Sequence, residues 1–176
     1  VARGNGMMAS PYRKVRVPMP DSGAGSLVLF MPENEPSERL RFAGAIGLKQ
    51  ALGDVVVLHG EYRLYRDSWS VLSHTVDARV VFDLSPVTVR LRYRGYTQSR
   101  ASFYQPAYET LRLYLSSDRE LSAFSSHLFG AKVEWQPLRT EGTGARFRFD
   151  VKVEGMYFRY PEFLRLDQRW ALITQA

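Results

Sequence analysis

One pattern constrains this chain more than any other. Over most of residues 39–157, apolar and charged side chains alternate with a period of two. In "VTVRLRYRGYTQS" (87–99), Val87, Val89, Leu91, Tyr93 and Gly95 fall on one face of an extended strand, and Arg90, Arg92 and Arg94 on the other. Successive side chains of a strand point to opposite sides. "RLRFAGAIGLK" (39–49) sets Leu40, Phe42, Gly44, Ile46 and Leu48 against Arg39, Arg41 and Lys49. "VVLHGEYRLY" (56–65) sets Val56, Leu58, Gly60, Tyr62 and Leu64 against His59, Glu61 and Arg63. "TVDARVVFDL" (75–84) sets Val76, Ala78, Val80, Phe82 and Leu84 against Asp77, Arg79 and Asp83. "FGAKVEW" (129–135) and "RFRFDVKVEGMY" (146–157) continue the series, with Lys132, Glu134, Arg146, Arg148, Asp150, Lys152 and Glu154 on the polar side. "RWALITQA" (169–176) begins another strand.

The apolar faces of the six complete strands hold 30 positions, and none is charged. At 24% charged residues overall, about seven would be expected from composition alone. The opposite faces carry twelve Lys or Arg and six Asp or Glu. An aromatic content of 13% suits strands better than helices. The chain has no cysteine, which excludes a disulfide framework and a thiolate metal site. Its longest apolar run, residues 27–31, is far short of the roughly 20 residues of a membrane helix. No signal peptide is visible, and a start at Val1 rather than Met reads as a mature or partial chain.

Residues 1–38 hold Pro11, Pro18, Pro20, Pro32 and Pro36 with Gly4, Gly6, Gly23 and Gly25, and read as an irregular surface loop region with one short strand at 27–30. Residues 39–176 read as antiparallel barrel strands. The links at 50–54 and 85–86 are tight, 136–144 is a Gly-rich turn, and 66–73, 99–125 and 159–168 are longer. In an up-and-down order the tight turns share one end and the longer loops the other, the layout of outer-membrane barrels. Segment 108–122 reads as structure inside the long 99–125 loop.

Alternation fits two opposite arrangements. A soluble barrel or sandwich points its apolar face inward; a membrane barrel points it outward. Three features favour the membrane. The strands run about 10–14 residues, against a usual mean of about 5–6, and a spanning strand needs about 9–11. Aromatics collect near strand ends, at Tyr65, Trp69, Tyr96, Trp135, Tyr157, Tyr160 and Trp170, as in interfacial girdles. The polar faces mix both signs and are rich in Arg, which suits an enclosed lumen. The expected fold is an all-β, antiparallel up-and-down transmembrane β-barrel, or part of one, with long loops at one end. The alternative is a soluble β-barrel or sandwich ligand-binding module.

Four ordered stretches, "MMASPYRKVRV" (7–17), "HGEYRLYRDSWSVLSHTV" (59–76), "LRYRGYTQSRASFY" (91–104) and "SSDRELSAFSSHLFGAKVEW" (116–135), resemble the C-terminal part of a family of bacterial outer-membrane β-barrels labelled only as a domain of unknown function. "YPEF" (160–163) falls where that family has an acidic-aromatic loop. The resemblance covers most of residues 7–165. It implies a barrel in a bacterial outer membrane and carries no established activity, cofactor or catalytic residue. Members usually have further strands before the "PYR" loop and a terminal strand ending in an aromatic. This chain has neither, so the resemblance implies part of a barrel.

The expected lumen-lining residues are Arg63, Arg79, Arg90, Arg92, Arg94, Arg146 and Arg148, with Glu61, Asp77, Asp83, Asp150 and Glu154 as counter-charges. They either form a cationic path for anions or pair with one another and fill a narrow barrel; cross-strand pairs of opposite sign favour the filled form. His59 is expected in the lumen, and His74 and His127 near the loop end; nothing in their spacing requires a metal. In Ser73-His74 and Ser126-His127, neighbouring residues face opposite ways, which leaves only Ser126 with His74 across strands as a nucleophile–base couple. No catalytic residue and no cofactor is expected. The charge of +6 raises nucleic acid, but RNA-binding sheets place aromatics on an exposed polar face, whereas here they share a face with Val and Leu. The expected partners are the lipid bilayer and an envelope protein at the long loops.

Overall fold

The alternating segments are strands in the computed structural model, which describes residues 2–5, 14–18, 28–137, 147–164 and 166–176. The strands are β1 (Ala2–Asn5), β2 (Lys14–Pro18), β3 (Val28–Pro32), β4 (Glu38–Leu52), β5 (Val56–Asp67), β6 (Leu72–Leu84), β7 (Val87–Gln98), β8 (Phe124–Trp135), β9 (Phe149–Arg159) and β10 (Gln168–Gln175). Among the described residues the only helical segment is a single 3₁₀ turn, Arg119–Leu121, and no helix is long and apolar enough to cross a membrane. The fold is all-β and antiparallel.

One eight-stranded sheet runs in the order β1-β4-β5-β6-β7-β8-β9-β10, and β2 and β3 form a separate hairpin. From β4 to β10 the chain goes up and down without a crossover. The turn at 53–55 is tight because Gly53 takes a φ of +66°, the left-handed region that costs glycine nothing. The sheet is not closed. β1 covers only Glu38–Arg41 of β4, and β10 forms the other edge. Because β4 and β10 are the first and last of seven alternating strands, they run in the same direction. An antiparallel ring built on them needs an odd number of further strands.

The register keeps parity across the whole sheet. Lys49, His59, Arg79 and Arg92 form one row, and Gly47, Glu61, Asp77 and Arg94 the next. The opposite face aligns Ile46, Tyr62, Val76, Gly95, His127, Tyr157 and Trp170. A slip of one residue in any pair would mix the two sets.

Burial is inverted relative to a water-soluble sheet. On the apolar face Ile46, Leu48, Trp170 and Leu172 are 71–73% exposed, whereas on the charged face Glu134, Glu154 and Asp77 are only 2–8% exposed. The apolar core sits elsewhere, in a cap at the loop end. Trp69 and Val71 of the β5–β6 link pack with Ala101, Phe103, Tyr104 and Leu121 of the long β7–β8 loop. A second cluster joins Val15 and Val17 of β2 to Tyr108 and Leu115 of the same loop. The 99–123 link therefore packs through two shared cores, one with the β5–β6 link and one with β2.

Two sequence expectations change. The short strand expected at 27–30 is Val28–Pro32 and pairs with Lys14–Pro18, where no strand was expected. The expected girdle divides. Trp135, Tyr157 and Trp170 stand on the apolar face, but Trp69 and Tyr160 are buried in the loop region, and Tyr65 and Tyr96 lie on the charged face by parity. An aromatic at a strand end can complete a cap core as readily as a membrane interface, and composition does not separate the two.

Candidate functional site

Among the described residues, ion pairs concentrate on the charged face. Most directly opposed charged residues there carry like charge: Glu61 faces Asp77, Arg79 faces Arg92, Arg90 faces Lys132, Lys132 faces Lys152, and Glu134 faces Asp150, whereas Arg41 faces Asp67 and Asp77 also faces Arg94. The like-charged pairs are unfavourable by themselves. The ion pairs form one step away instead. Along single strands, Arg79 Nε lies 2.7 Å from Asp77, Lys132 Nζ 2.9 Å from Glu134 and Lys152 Nζ 2.8 Å from Glu154. Diagonally, Arg92 reaches Asp77 at 2.6 Å, Lys132 reaches Asp150 at 2.8 Å, and Arg90 and Arg148 reach Glu134 at 3.2 and 2.7 Å. Apart from Arg92 and Glu154, which share a row, these carboxylates draw on cations of an adjacent row.

Glu134 is a hub of this lattice, with three cations on one buried carboxylate. Gly130 has a second role. It lies between Arg92 and Glu154 in the same row, and the missing side chain lets the guanidinium and carboxylate approach to 3.8 Å across β8. A Cβ at Gly130 would stand 3.1 Å from Glu154 Cγ and 3.2 Å from Oε1.

Of the expected lining residues, Arg79, Arg90, Arg92 and Arg148 join the lattice, with Asp77, Asp150 and Glu154 as their counter-charges. Arg63 and Arg94 share the face but have no carboxylate within 4.0 Å among the described residues, and Glu61 has no cation there. Asp83 meets only the Thr88 hydroxyl, at 3.5 Å. Arg146 lies outside the described residues. Glu134, Lys132 and Lys152 were not singled out from sequence as lining residues, although strand parity already put all three on that face. Near β4, whose inner positions include the small residues Ala43, Ala45, Gly47 and Ala51, a cavity of about 240 Å³ opens, lined by Gly47, Lys49, His59, Glu61, Asp77 and Arg79 among others. It mixes both signs and has no aromatic wall.

The histidines separate. His59 stands on the charged face between Lys49 and Arg79. His74 and His127 are on the apolar face, and each Nδ1 meets a tyrosine hydroxyl, Tyr62 at 2.6 Å and Tyr93 at 2.9 Å. Ser126 pairs with Tyr96 on the charged face, so Ser126 and His74 are on opposite sides of the sheet and form no catalytic couple. No cluster of His, Asp and Glu suited to a metal exists among the described residues.

A second polar constellation ties the cap to the sheet. Asp67 Oδ2 accepts from Arg39 Nε (2.8 Å), Arg39 Nη2 (2.5 Å) and the Tyr65 hydroxyl (2.8 Å). Its Oδ1 accepts from the backbone N–H groups of Trp69 and Val71, both at 2.9 Å. The Arg39 guanidinium lies 4.3 Å from the centroid of the Trp69 ring. Gln98 holds the long loop from the other side: it accepts from the Tyr96 hydroxyl and donates to the carbonyls of Glu120 and Ser122. Glu33, also buried, accepts from Ser116 Oγ and Ser117 N. Tyr104 and Tyr108 are buried in the same cap. Burial is the first cause raising both phenols, and Tyr104 is pushed up to about 12 with the help of the nearby Glu162 carboxylate. All four sequence stretches singled out above reach this cap, through Val15 and Val17, through Tyr65, Asp67 and Trp69, through Gln98, Phe103 and Tyr104, and through Leu121.

A family model described as "Protein of unknown function (DUF3570)" matches residues 1–153. No curated protein and no solved structure matches the chain.

Proposed function

We propose that this chain, which belongs to the DUF3570 family, is part of the wall of a transmembrane β-barrel in a bacterial outer membrane. The carrying observation is the inversion of burial: the large apolar side chains face out while Glu134, Glu154 and Asp77 are covered on the other face. In water this arrangement would expose apolar area over a whole sheet, far beyond the few hundred Å² that monomers tolerate. Against hydrocarbon it is the favoured one.

The dimensions agree. From Trp135 to His127 the apolar face of β8 spans nine residues, eight steps of about 3.4 Å or about 27 Å along the strand, and about 21 Å along the membrane normal at a tilt of about 40°. Aromatics bound it at both ends, Trp135 stacked on Phe149 (5.7 Å) at the turn end, and Tyr157 against Trp170 (4.5 Å) at the loop end.

On this reading the charged face lines the lumen, and the ion lattice fills it with paired side chains. The protein is then a non-enzymatic envelope protein whose barrel carries the cap. Among the described residues Arg63, Arg94 and Lys49 lack a carboxylate within 4.0 Å and Glu61 and Asp83 lack a cation, so the unpaired excess is cationic and any residual conduction is anion-selective. Two measurements test the reading. The purified chain requires detergent or lipid to stay monodisperse; a monodisperse chain in plain buffer rejects it and leaves a soluble β module. In planar bilayers the chain gives no current or a small anion-selective one, and replacing Arg90, Arg92 and Arg94 by Gln lowers any anion preference. A large cation-selective current contradicts the lumen assignment.

A further inference from the structure

The apolar face is not smooth. A groove of about 530 Å³ crosses it between β6 and β9, with Ala78, Leu91, Tyr93, Phe129, Ala131 and Gly155 in its lining. Its floor is low where the small residues Ala78, Ala131 and Gly155 flank the Tyr93–Phe129 pair. At Gly155 an added Cβ would meet nothing within 4 Å. Tyr93 and Phe129, 5.0 Å apart, form the rim.

Polar groups gather beyond the loop end of this groove, outside its lining, from the His127–Tyr157 pair outward. His127 follows Phe129 on the same face, and Ser125 stands directly across from Arg159. Arg159 is exposed and has no carboxylate within 4.0 Å among the described residues. Glu162, three residues on, is held by Arg100 at 3.3 Å. The Tyr93 hydroxyl meets His127 Nδ1; with the phenol donating, Nε2 carries the proton and is itself a donor. An unpaired guanidinium on a lipid-facing surface is costly unless it meets an anion. The turn end differs. There the last apolar-face positions are Leu52, Val56, Leu84, Val87, Trp135 and Phe149, with no cation.

We infer that this groove holds one anionic membrane lipid, with an acyl chain along Ala131 and Gly155 and a headgroup phosphate at Arg159, Ser125 and His127. Gly155 and Arg159 are four residues apart, about 13 Å along the strand, which suits one molecule reaching from hydrocarbon into the headgroup layer. The inference rests on the membrane reading above and adds a specific ligand to it.

Native mass spectrometry of the full chain, released from detergent with phosphatidylglycerol or phosphatidylcholine of identical chains, tests it. The expected result is one retained phosphatidylglycerol, preferred about tenfold. Arg159→Gln brings the two lipids to parity, the loss of one charge-assisted contact. Gly155→Leu, which fills the groove, lowers retention of both. Equal retention by the unaltered chain, or an unchanged preference in Arg159→Gln, overturns the inference. Insertion into pure phosphatidylcholine bilayers separates the two levels. A chain that inserts but shows no preference loses the lipid site alone; a chain that never inserts loses the membrane reading and the site with it. If Gly155→Leu fails to insert, Arg159→Gln still decides.

Discussion

Replacing Asp67 by Asn should uncouple the cap from the sheet. The carboxylate is fully covered and its partner Arg39 retains only 10% side-chain exposure, so the pair is buried rather than solvent-screened. Asn has nearly the same shape, and its carbonyl can still accept from the Trp69 and Val71 N–H groups. Its amide NH₂, however, faces the Arg39 guanidinium and the Tyr65 hydroxyl, and cannot accept from either. A buried cation left without its counter-charge costs about 3–5 kcal/mol. Asp67→Ala loses more, because the two backbone N–H groups are also orphaned at about 1–3 kcal/mol each. The assay is urea unfolding in detergent micelles, followed by Trp69 fluorescence in a background with Trp135 and Trp170 changed to Phe. Limited proteolysis of the 99–123 loop is read in parallel. Asp67→Asn should shift the Trp69 transition by about 3–5 kcal/mol and open the loop to protease. Adding Arg39→Met should recover part of the loss, because the stranded charge goes with it. A shift below about 1 kcal/mol, the value of an exposed pair, or no recovery in the double variant, would refute the reasoning.

Other consequences are simpler to state. Gly130→Val places carbon where Glu154 passes, and should cost about 1–3 kcal/mol as overpacking, read as a lower unfolding midpoint in micelles; an unchanged midpoint would mean that Arg92 and Glu154 do not meet across β8. Tyr104 keeps its proton to about 12 in the folded cap, whereas an unfolded tyrosine loses it near 10. The native state then binds more protons above pH 10, so stability is intact below that pH and falls between about pH 10 and 12, by at most about 2–3 kcal/mol. Tyr104→Phe should flatten that alkaline decline in part, with Tyr108 also contributing, and a decline of unchanged steepness would exclude Tyr104 as a source.

The strands were legible because each depends only on parity. Val89, Leu91 and Tyr93 against Arg90, Arg92 and Arg94 fix a two-faced strand with no knowledge of its neighbours. Pairing of the charges was not legible, because it depends on register. Arg92 meets Asp77 rather than its opposite number Arg79 only once β6 and β7 are aligned, and Glu134 becomes a hub only when β7, β8 and β9 are side by side. The cap was the least visible. "YRLYRDSW" offers Tyr65 and Trp69 as interfacial aromatics just as well as core ones. What decides is Arg39, 28 residues upstream of the aspartate it neutralises, and no local pattern carries that distance. The β2–β3 hairpin was hidden for a related reason: its strands are five residues each, rich in Pro, and are held by Tyr108 and Leu115 of a loop far along the chain.

The chain has three tryptophans, and their placement gives the most direct test of the outward-apolar arrangement. Single-tryptophan variants are reconstituted in bilayers with brominated acyl chains and their fluorescence quenching is compared. The account predicts strong quenching of Trp135 and Trp170, which stand exposed on the apolar face, and little quenching of Trp69, enclosed in the cap. Trp135 and Trp170 both shielded from the bromines, or quenched instead by iodide from the aqueous phase, would contradict it.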